Sequence, residues 1–365
     1  MSGSLIPPLL TIPTLFISLR LLQCANQVKH CPVQSTVMAT SIAEDRSVPN
    51  NWSVDDISSL NGKTVVITGG NSGIGFEAAL VMVRRGATVV LACRSADKAE
   101  DAAKRIREAV ATTDGHGIVA TMALDVSSLE SVRAFAAEFR AAYSELNILI
   151  NNAGVMAVPF SLSVDGHERQ FATNHLGHFA LTAQLLDLLK AGAPSRVISV
   201  SSHAHRDGRV VPTNRIMIAD EKNYNSATMY GQSKLYNLLF AKELGRRLEA
   251  QGVTGVRSIA CHPGFTRTNL TDSPSTENGF FLRTIWKVMA ATPVWQDPAT
   301  GALPTLYAAT ADNVRSGDYY GPSGFLSLWG APAREEPSST ANSEDFARAV
   351  WEESERLANI RFSVK

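Results

Sequence analysis

Residues 63–86, KTVVITGGNSGIGFEAALVMVRRG, pass from a β-branched run through a glycine-rich turn into a helical pattern. The run ends at Thr68, and the turn places Gly69, Gly73 and Gly75 around the start of a helix read from Ile74. Glycine tolerates positive φ and lets a backbone approach a ligand closely, while the first amides of a helix and its dipole favour negative charge. A glycine-rich turn alone also serves ordinary tight turns. Its place between a first strand and a first helix points to a pyrophosphate cradle of Gly69, Asn71, Ser72, Gly73, Ile74 and Gly75. The spacing G-x-x-x-G-x-G is neither a Walker loop, which needs Gly-Lys-Ser/Thr, nor G-x-G-x-x-G.

The same alternation continues outward from this stretch. ATVVLACR leads to ADKAEDAAKRIREAV and GIVATMALDV to LESVRAFAAEFRAAY. Then come LNILINNAG, a long helix near Asp165–Leu189, SRVISVSS, the helix containing MYGQSKLYNLLFAKEL, and GVRSIACHPG. Near-continuous apolar strands separated by helices predict a parallel sheet buried on both faces, with right-handed crossovers. The expected fold is therefore α/β: a Rossmann-type doubly wound parallel sheet flanked by helices, in a single domain. We expect residues 49–330 to form it, with 331–365 as a C-terminal helical appendage around SEDFARAVWEESERLA. No internal repeat or low-complexity tract divides the chain.

Composition narrows the function classes. The chain has 365 residues, 45% of them hydrophobic, and 34 basic residues balance 34 acidic ones, so no single-signed field gathers nucleic acid. Cys24, Cys31, Cys93 and Cys261 lack zinc-site spacing and are too few for a disulfide scaffold, which fits a reducing compartment. His175 and His178 stand three apart without an accompanying carboxylate motif, and no metal is expected.

Residues 1–48 differ from the rest, as an apolar and then polar leader expected to be poorly ordered. LIPPLLTIPTLFISL, residues 5–19, is uncharged and apolar, but Pro7, Pro8 and Pro13 would break a helix and Arg20 ends the run. It lacks the positive start of a signal peptide. A targeting or anchoring role with membrane association through residues 5–22, and a start of translation at Met38, both stay open. The protein is accordingly expected to be cytoplasmic, or membrane-associated or organellar if this leader is made and retained.

The end of the second strand bears on cofactor choice. A carboxylate there accepts hydrogen bonds from a ribose 2′-hydroxyl, whereas an arginine accommodates a 2′-phosphate. LACRS places Arg94 at that position, with Ser95 able to help a phosphate or to cap the next helix. The ribose rule thus favours NADP(H). Asp125 and Val126 at the third strand end suit an adenine contact, and Asn152, Ala153 and Gly154 of NNAG close the fourth strand beside the cofactor path.

Within MYGQSKLYNLLFAKEL, Tyr230 and Lys234 are four residues apart, side by side on one helical face. Alone, that spacing also fits a core tyrosine beside a lysine that snorkels to water. In order along the chain, however, TGGNSGIG, LDV, NNAG, NHLGHF, VISVSS, YGQSK and HPG resemble the single-domain branch of the short-chain dehydrogenase/reductase family over roughly Leu60–Phe325. ACRS, NHLGHF and CHPGFTRT look most like its retinol-dehydrogenase-like and protochlorophyllide-reductase-like members.

The resemblance implies roles. Tyr230 would be the general acid or base toward a substrate oxygen, and Lys234 would supply the positive charge that favours its anion and would also bind the nicotinamide ribose. A free phenol titrates near 10, so about two or three units of lowering, roughly 3–4 kcal/mol, are required. Ser202 would hold the substrate oxygen, with Ser201 the lesser candidate, and Asn174 would bind a water through its backbone to complete a relay to Lys234. Pro263, Gly264 and Thr268 would fix the nicotinamide carboxamide. NGFFLRTIWKVMAATPVW, residues 278–295, would form an apolar lid, a core stripe or an oligomer contact. His262 and Cys261 are read as packing residues, and His203 and His205 as lining the pocket mouth or the surface.

The function so implied is an NADP(H)-dependent oxidoreductase that transfers hydride between nicotinamide and a carbonyl or alcohol on an apolar small molecule. Reduction of a carbon–carbon double bond and non-catalytic NADP(H) sensing are the alternatives. Self-association through the two long helices, common in the family, would make a homo-oligomer.

Overall fold

In β1 (Thr64–Thr68), Val65 and Ile67 face one hydrophobic layer and Val66 the other, and none of the three side chains reaches solvent. That alternation within a continuous apolar run is what a strand covered on both faces requires. β2 (Thr88–Cys93) repeats it, with Val89, Leu91 and Cys93 on the side of β1's Ile67 and Val90 and Ala92 opposite. The computed structural model describes residues 47–212, 221–267 and 295–365, all within one compact unit that runs from Arg46 to Lys365.

The remaining strands are β3 (Ile118–Ala123), β4 (Ile148–Asn151), β5 (Ser195–Val200), β6 (Val256–Cys261), β7 (Tyr319–Pro322) and β8 (Pro332–Arg334). They form one sheet in the order β3-β2-β1-β4-β5-β6-β7-β8, parallel throughout except for the last pair. The order reverses direction between β1 and β4, which opens a crevice at the carboxyl ends of the strands.

Helices α1 (Gly73–Arg84), α2 (Ala96–Val110) and α6 (Pro298–Thr310) contribute to one layer. On the other lie α3 (Leu129–Ala142), α4, α5 (Ser226–Ala250) and α7 (Glu344–Ala358). α4 runs as α-helix Arg169–Phe171, a π-helical turn Ala172–Leu176, and α-helix Gly177–Ala191. It starts later than the Asp165 read from sequence. A turn with Gly166 at φ +80° intervenes, and the Glu168 carboxylate caps the helix by accepting from Gln170 N and Phe171 N.

The carboxyl-terminal part, expected as an appendage over 331–365 packed on the same domain, also contributes a strand to the sheet. β8 pairs antiparallel with β7, so a division at 330/331 falls inside a hairpin. Its three residues, Pro-Ala-Arg, carry no apolar run that would disclose a strand. α7 then lays Trp351 against α4 and α5, with ring centres 5.1 Å from Phe179 and 5.9 Å from Phe240, and Phe362 stacks on Trp351 at 4.5 Å. A face of the two long helices expected to mediate self-association is thereby covered by the chain's own end. Of the leader, residues 1–48, the part up to residue 46 lies outside the described residues.

Candidate active site

The turn after β1 is built for close backbone approach. Gly69 and Gly73 have φ of +66° and +57°, in the left-handed region that favours glycine. A Cβ on Gly75 would stand 2.6 Å from Asn152 Nδ2 and 2.9 Å from the Gly69 oxygen, so a side chain there would break up the turn. The amino terminus of α1 is also unusual within this chain. Ser95, Ser128, Glu168, Asn225, Asp297 and Ser343 each cap the helix that follows with a side-chain hydrogen bond, whereas Ser72 does not cap α1. The first turn of α1 also holds no acidic residue. Its leading amides therefore suit an external anion, and the residues present fit a dinucleotide's pyrophosphate.

Around this turn, several of the residues expected to touch the cofactor also brace the fold. Asn152 donates from Nδ2 to Thr68 O and from its backbone to Thr68 Oγ1, both at 2.9 Å, and Ala153 N donates to the same hydroxyl at 2.9 Å. Thr68 thus ties the end of β1 to the end of β4, a role that no local motif disclosed. Asp125 Oδ1 accepts from Ser127 N and Oγ at 2.9 and 2.7 Å, and Val126 is buried against Gly177. Ser95 caps α2 through Lys98 N at 3.4 Å. Arg94, at the end of β2, is exposed and makes no hydrogen bond or ion pair among the described residues.

Asn174 and the Tyr230 helix meet deeper in the crevice. The Asn174 amide accepts from Val155 N at 2.8 Å and donates to Val155 O and Ser233 Oγ, both at 2.9 Å. Ser233 in turn donates to the Tyr230 carbonyl at 2.8 Å. The Asn174 side chain therefore joins the loop after β4 to α5, and Gly154 leaves room for it: a Cβ there would lie 3.1 Å from Asn174 Oδ1 and 3.5 Å from Lys234 Nζ. The Asn174 carbonyl, expected to hold a water, accepts from His178 Nδ1 at 3.1 Å. Thr68 Oγ1 lies 2.8 Å from His178 Nε2. Burial holds this imidazole near pKa 4, so it stays neutral, donating from Nδ1 and accepting at Nε2.

Lys234 is buried, not snorkelling, and its ammonium donates to Val200 O at 3.0 Å. Burial pushes it down to about 8, with Cys261 acting the other way. Tyr230 is partly exposed. Burial raises its phenol, and the hydrogen bond that opposes this comes from Ser202. Lys234, read from sequence as the charge that favours the anion, has its Nζ 5.8 Å from the ring centre. The two serines differ in what their hydroxyls touch. Ser201 is buried with Oγ donating to Lys234 O at 2.7 Å, whereas Ser202 faces the phenol and accepts only a 3.2 Å bond from Ala204 N.

The loop after β6 closes the crevice. Gly264 has φ +65°, and a Cβ there would meet Leu328 O at 2.4 Å. Pro263 O accepts from Thr266 Oγ1 at 2.8 Å. His262 does more than pack: Gly264 N donates to its Nδ1 at 3.2 Å and Glu335 Oε1 lies 2.8 Å from its Nε2. Cys261 is the packing residue expected, buried against Thr305. His205 is fully buried under the site, with Nδ1 2.8 Å from Ser202 O and Nε2 accepting from Ser338 N at 3.2 Å, so it neither lines a mouth nor sits on the surface. His203 is half-buried. Thr268 and the proposed lid up to residue 294 lie outside the described residues. Among the described residues no cluster of His, Cys, Asp and Glu could hold a metal ion, and no helix is long and apolar enough to cross a membrane.

Comparison with known proteins agrees with this geometry. The family model for short chain dehydrogenases matches residues 63–279. Retinol dehydrogenase 12 of Mus musculus is 40% identical over 83% of this chain and 88% of its own, and retinol dehydrogenase 13 of Homo sapiens is 40% identical over 82% and 86%. Among solved structures, an uncharacterized protein from Mycobacterium paratuberculosis superposes with a TM-score of 0.67 at 38% identity, covering 86% of this chain and 99% of its own. Pseudomonas aeruginosa RhlG, solved as an active-site complex with NADP, superposes at 0.55 with 25% identity over 72% and 94%.

Proposed function

Because the chain belongs to the short-chain dehydrogenase family of oxidoreductases, we propose that it interconverts a carbonyl and an alcohol on an apolar molecule with NADP(H), Tyr230 serving as general acid and base. The observation that carries this reading is the convergence of the Tyr230 phenol and the Ser202 hydroxyl at the carboxyl edge of the sheet, beside the buried Lys234 ammonium. The nicotinamide, once bound, supplies or accepts the hydride. The α1 amides hold the pyrophosphate, and Arg94 takes the 2′-phosphate, for which its exposed and unengaged guanidinium is suited. Pro263, Gly264 and Thr268 hold the carboxamide side.

In reduction, Ser202 donates a hydrogen bond to the substrate oxygen and Tyr230 gives it a proton; in oxidation the phenolate takes that proton back. Lys234, buried and charged at neutral pH, favours the phenolate through its positive charge. Asn174 keeps α5 and the loop after β4 in register, so that these groups stay within reach of one atom.

The substrate class rests on the wall formed by Gly154–Phe160, GVMAVPF, which is partly exposed along its whole length. A retinoid alcohol or aldehyde, as the names of the relatives suggest, has the required apolar surface. Residues 5–22 would bring such a protein to the membranes in which these molecules dissolve. The test is cofactor consumption by the full chain over a panel running from benzaldehyde to all-trans-retinal, with NADPH and NADH in parallel. Turnover restricted to NADPH and favouring the larger aldehydes is expected; turnover of none, with NADPH bound, would contradict the enzymatic reading.

A further inference from the structure

Asn174 is not the only amide on α4 that reaches both the loop after β4 and α5. One helical turn earlier, Gln170 Oε1 accepts from Ala157 N at 2.8 Å, while its Nε2 donates to Ser226 O and to Tyr224 Oη, both at 2.8 Å. Ser226 is the first residue of α5. Tyr224 carries the bracing further. Its hydroxyl lies 2.9 Å from Val158 O and 3.0 Å from Glu168 Oε1, and its ring meets Phe160 edge-on at 5.4 Å. Gln170 is fully buried, and Glu168 nearly so.

The segment so held is under strain. Ala157 has φ +48°, a left-handed conformation that a residue with a Cβ adopts only where its surroundings hold it there. The Gln170 bond is made to this same residue. None of these bonds is made to Tyr230, Lys234 or Ser202 themselves; Tyr230 and Lys234 are held through Ser233 and Val200 instead. What the clamp shapes is the apolar face of residues 155–160.

We infer that Gln170 and Tyr224 are positioning residues that hold the loop Val155–Phe160 as a preformed wall for the apolar part of the substrate, and so set the preference for large over small substrates. The inference rests on the proposed oxidoreductase activity. A wall already ordered in the free protein removes the ordering cost from binding, so its effect falls on substrate affinity and leaves the cofactor untouched.

Two measurements on the full chain test it, in wild type, Tyr224→Phe and Gln170→Ala. Hydrogen exchange reads the clamp directly: both variants should exchange the amides of Met156, Ala157, Val158 and Phe160 at least about tenfold faster while Gly69–Gly75 stays as in wild type. Steady-state kinetics read its purpose. KM for all-trans-retinal should rise about three- to tenfold in Tyr224→Phe, which loses the hydroxyl's contacts to Gln170, Val158 and Glu168. KM for benzaldehyde and the Kd for NADPH should stay within twofold. Equal losses for both aldehydes, a parallel loss of NADPH affinity, or unchanged exchange at 155–160 would each overturn the inference. If wild type turns over neither aldehyde, the proposed activity fails, and retinal binding to the NADPH-free and NADP⁺-loaded protein decides the wall: weaker binding in Tyr224→Phe supports it, and equal binding overturns it.

Discussion

The Lys234 ammonium donates to the Val200 carbonyl at 3.0 Å and lies 5.8 Å from the centre of the Tyr230 ring, in a position almost closed to solvent. Burial lowers its pKa to about 8, against about 10.4 in an unfolded chain. The folded protein therefore binds fewer protons than the unfolded one between these values, and stability rises with pH across that window. At neutral pH the buried charge costs up to about 3 kcal/mol. Lys234→Met should remove the cost without orphaning Val200 O, which still accepts from Asn237 Nδ2 at 3.1 Å. Thermal unfolding without cofactor should show a higher midpoint than wild type at pH 7, a gap that closes toward pH 10, and loss of turnover.

Ser202 supplies the hydrogen bond that favours the Tyr230 phenolate. Alcohol oxidation needs the phenolate and rises with pH through the phenol's pKa, whereas carbonyl reduction needs the phenol and falls through it. Ser202→Ala leaves burial unopposed, so both limbs should move to higher pH, with kcat lower by about 10²- to 10³-fold. Rate profiles in the two directions check the shift; limbs that stay in place would separate Ser202 from the titration.

Arg94 stands exposed at the end of β2 without a partner among the described residues. Loss of a charge-assisted bond to a 2′-phosphate should weaken NADPH binding roughly 10- to 100-fold in Arg94→Ala. NADH, which lacks that phosphate, should bind within about twofold of wild type. Fluorescence titration of both cofactors measures the ratio.

Trp351 is buried between Phe179, Phe240 and Phe362, with the Arg247 guanidinium 4.4 Å from the ring centre. Trp351→Ala should cost about 3–5 kcal/mol, since it removes the ring on which α4, α5 and the chain end meet. Denaturant unfolding measures the loss.

What could be read from sequence follows how local each signal is. The five strands β1, β2, β4, β5 and β6 are apolar runs set by burial on two faces, β3 is a partly exposed edge strand, and both the runs and the glycine turn stand in contiguous residues. β7 and β8 are short, contain proline and are held by pairing, so residues 319–334 carried little pattern of their own. In the site, Tyr230 and Lys234 were legible because a helix fixes their spacing. The braces were not: Gln170 meets Ala157 and Tyr224 across 13 and 54 residues, and Thr68 meets Asn152 across 84. The start of α4 was misplaced because Gly166 and the Glu168 cap, not the apolar period, decide where it begins.

The most direct test of the account compares wild type with Tyr230→Phe under single-turnover conditions, with NADPH affinity and aldehyde reduction measured on the same preparations. Removal of the hydroxyl alone should leave NADPH binding within about twofold and lower the reduction rate by about 10³-fold or more, in the range of a lost general acid. A Tyr230→Phe protein that binds NADPH and still reduces the aldehyde at a tenth or more of the wild-type rate would contradict the assignment of Tyr230 as the proton donor.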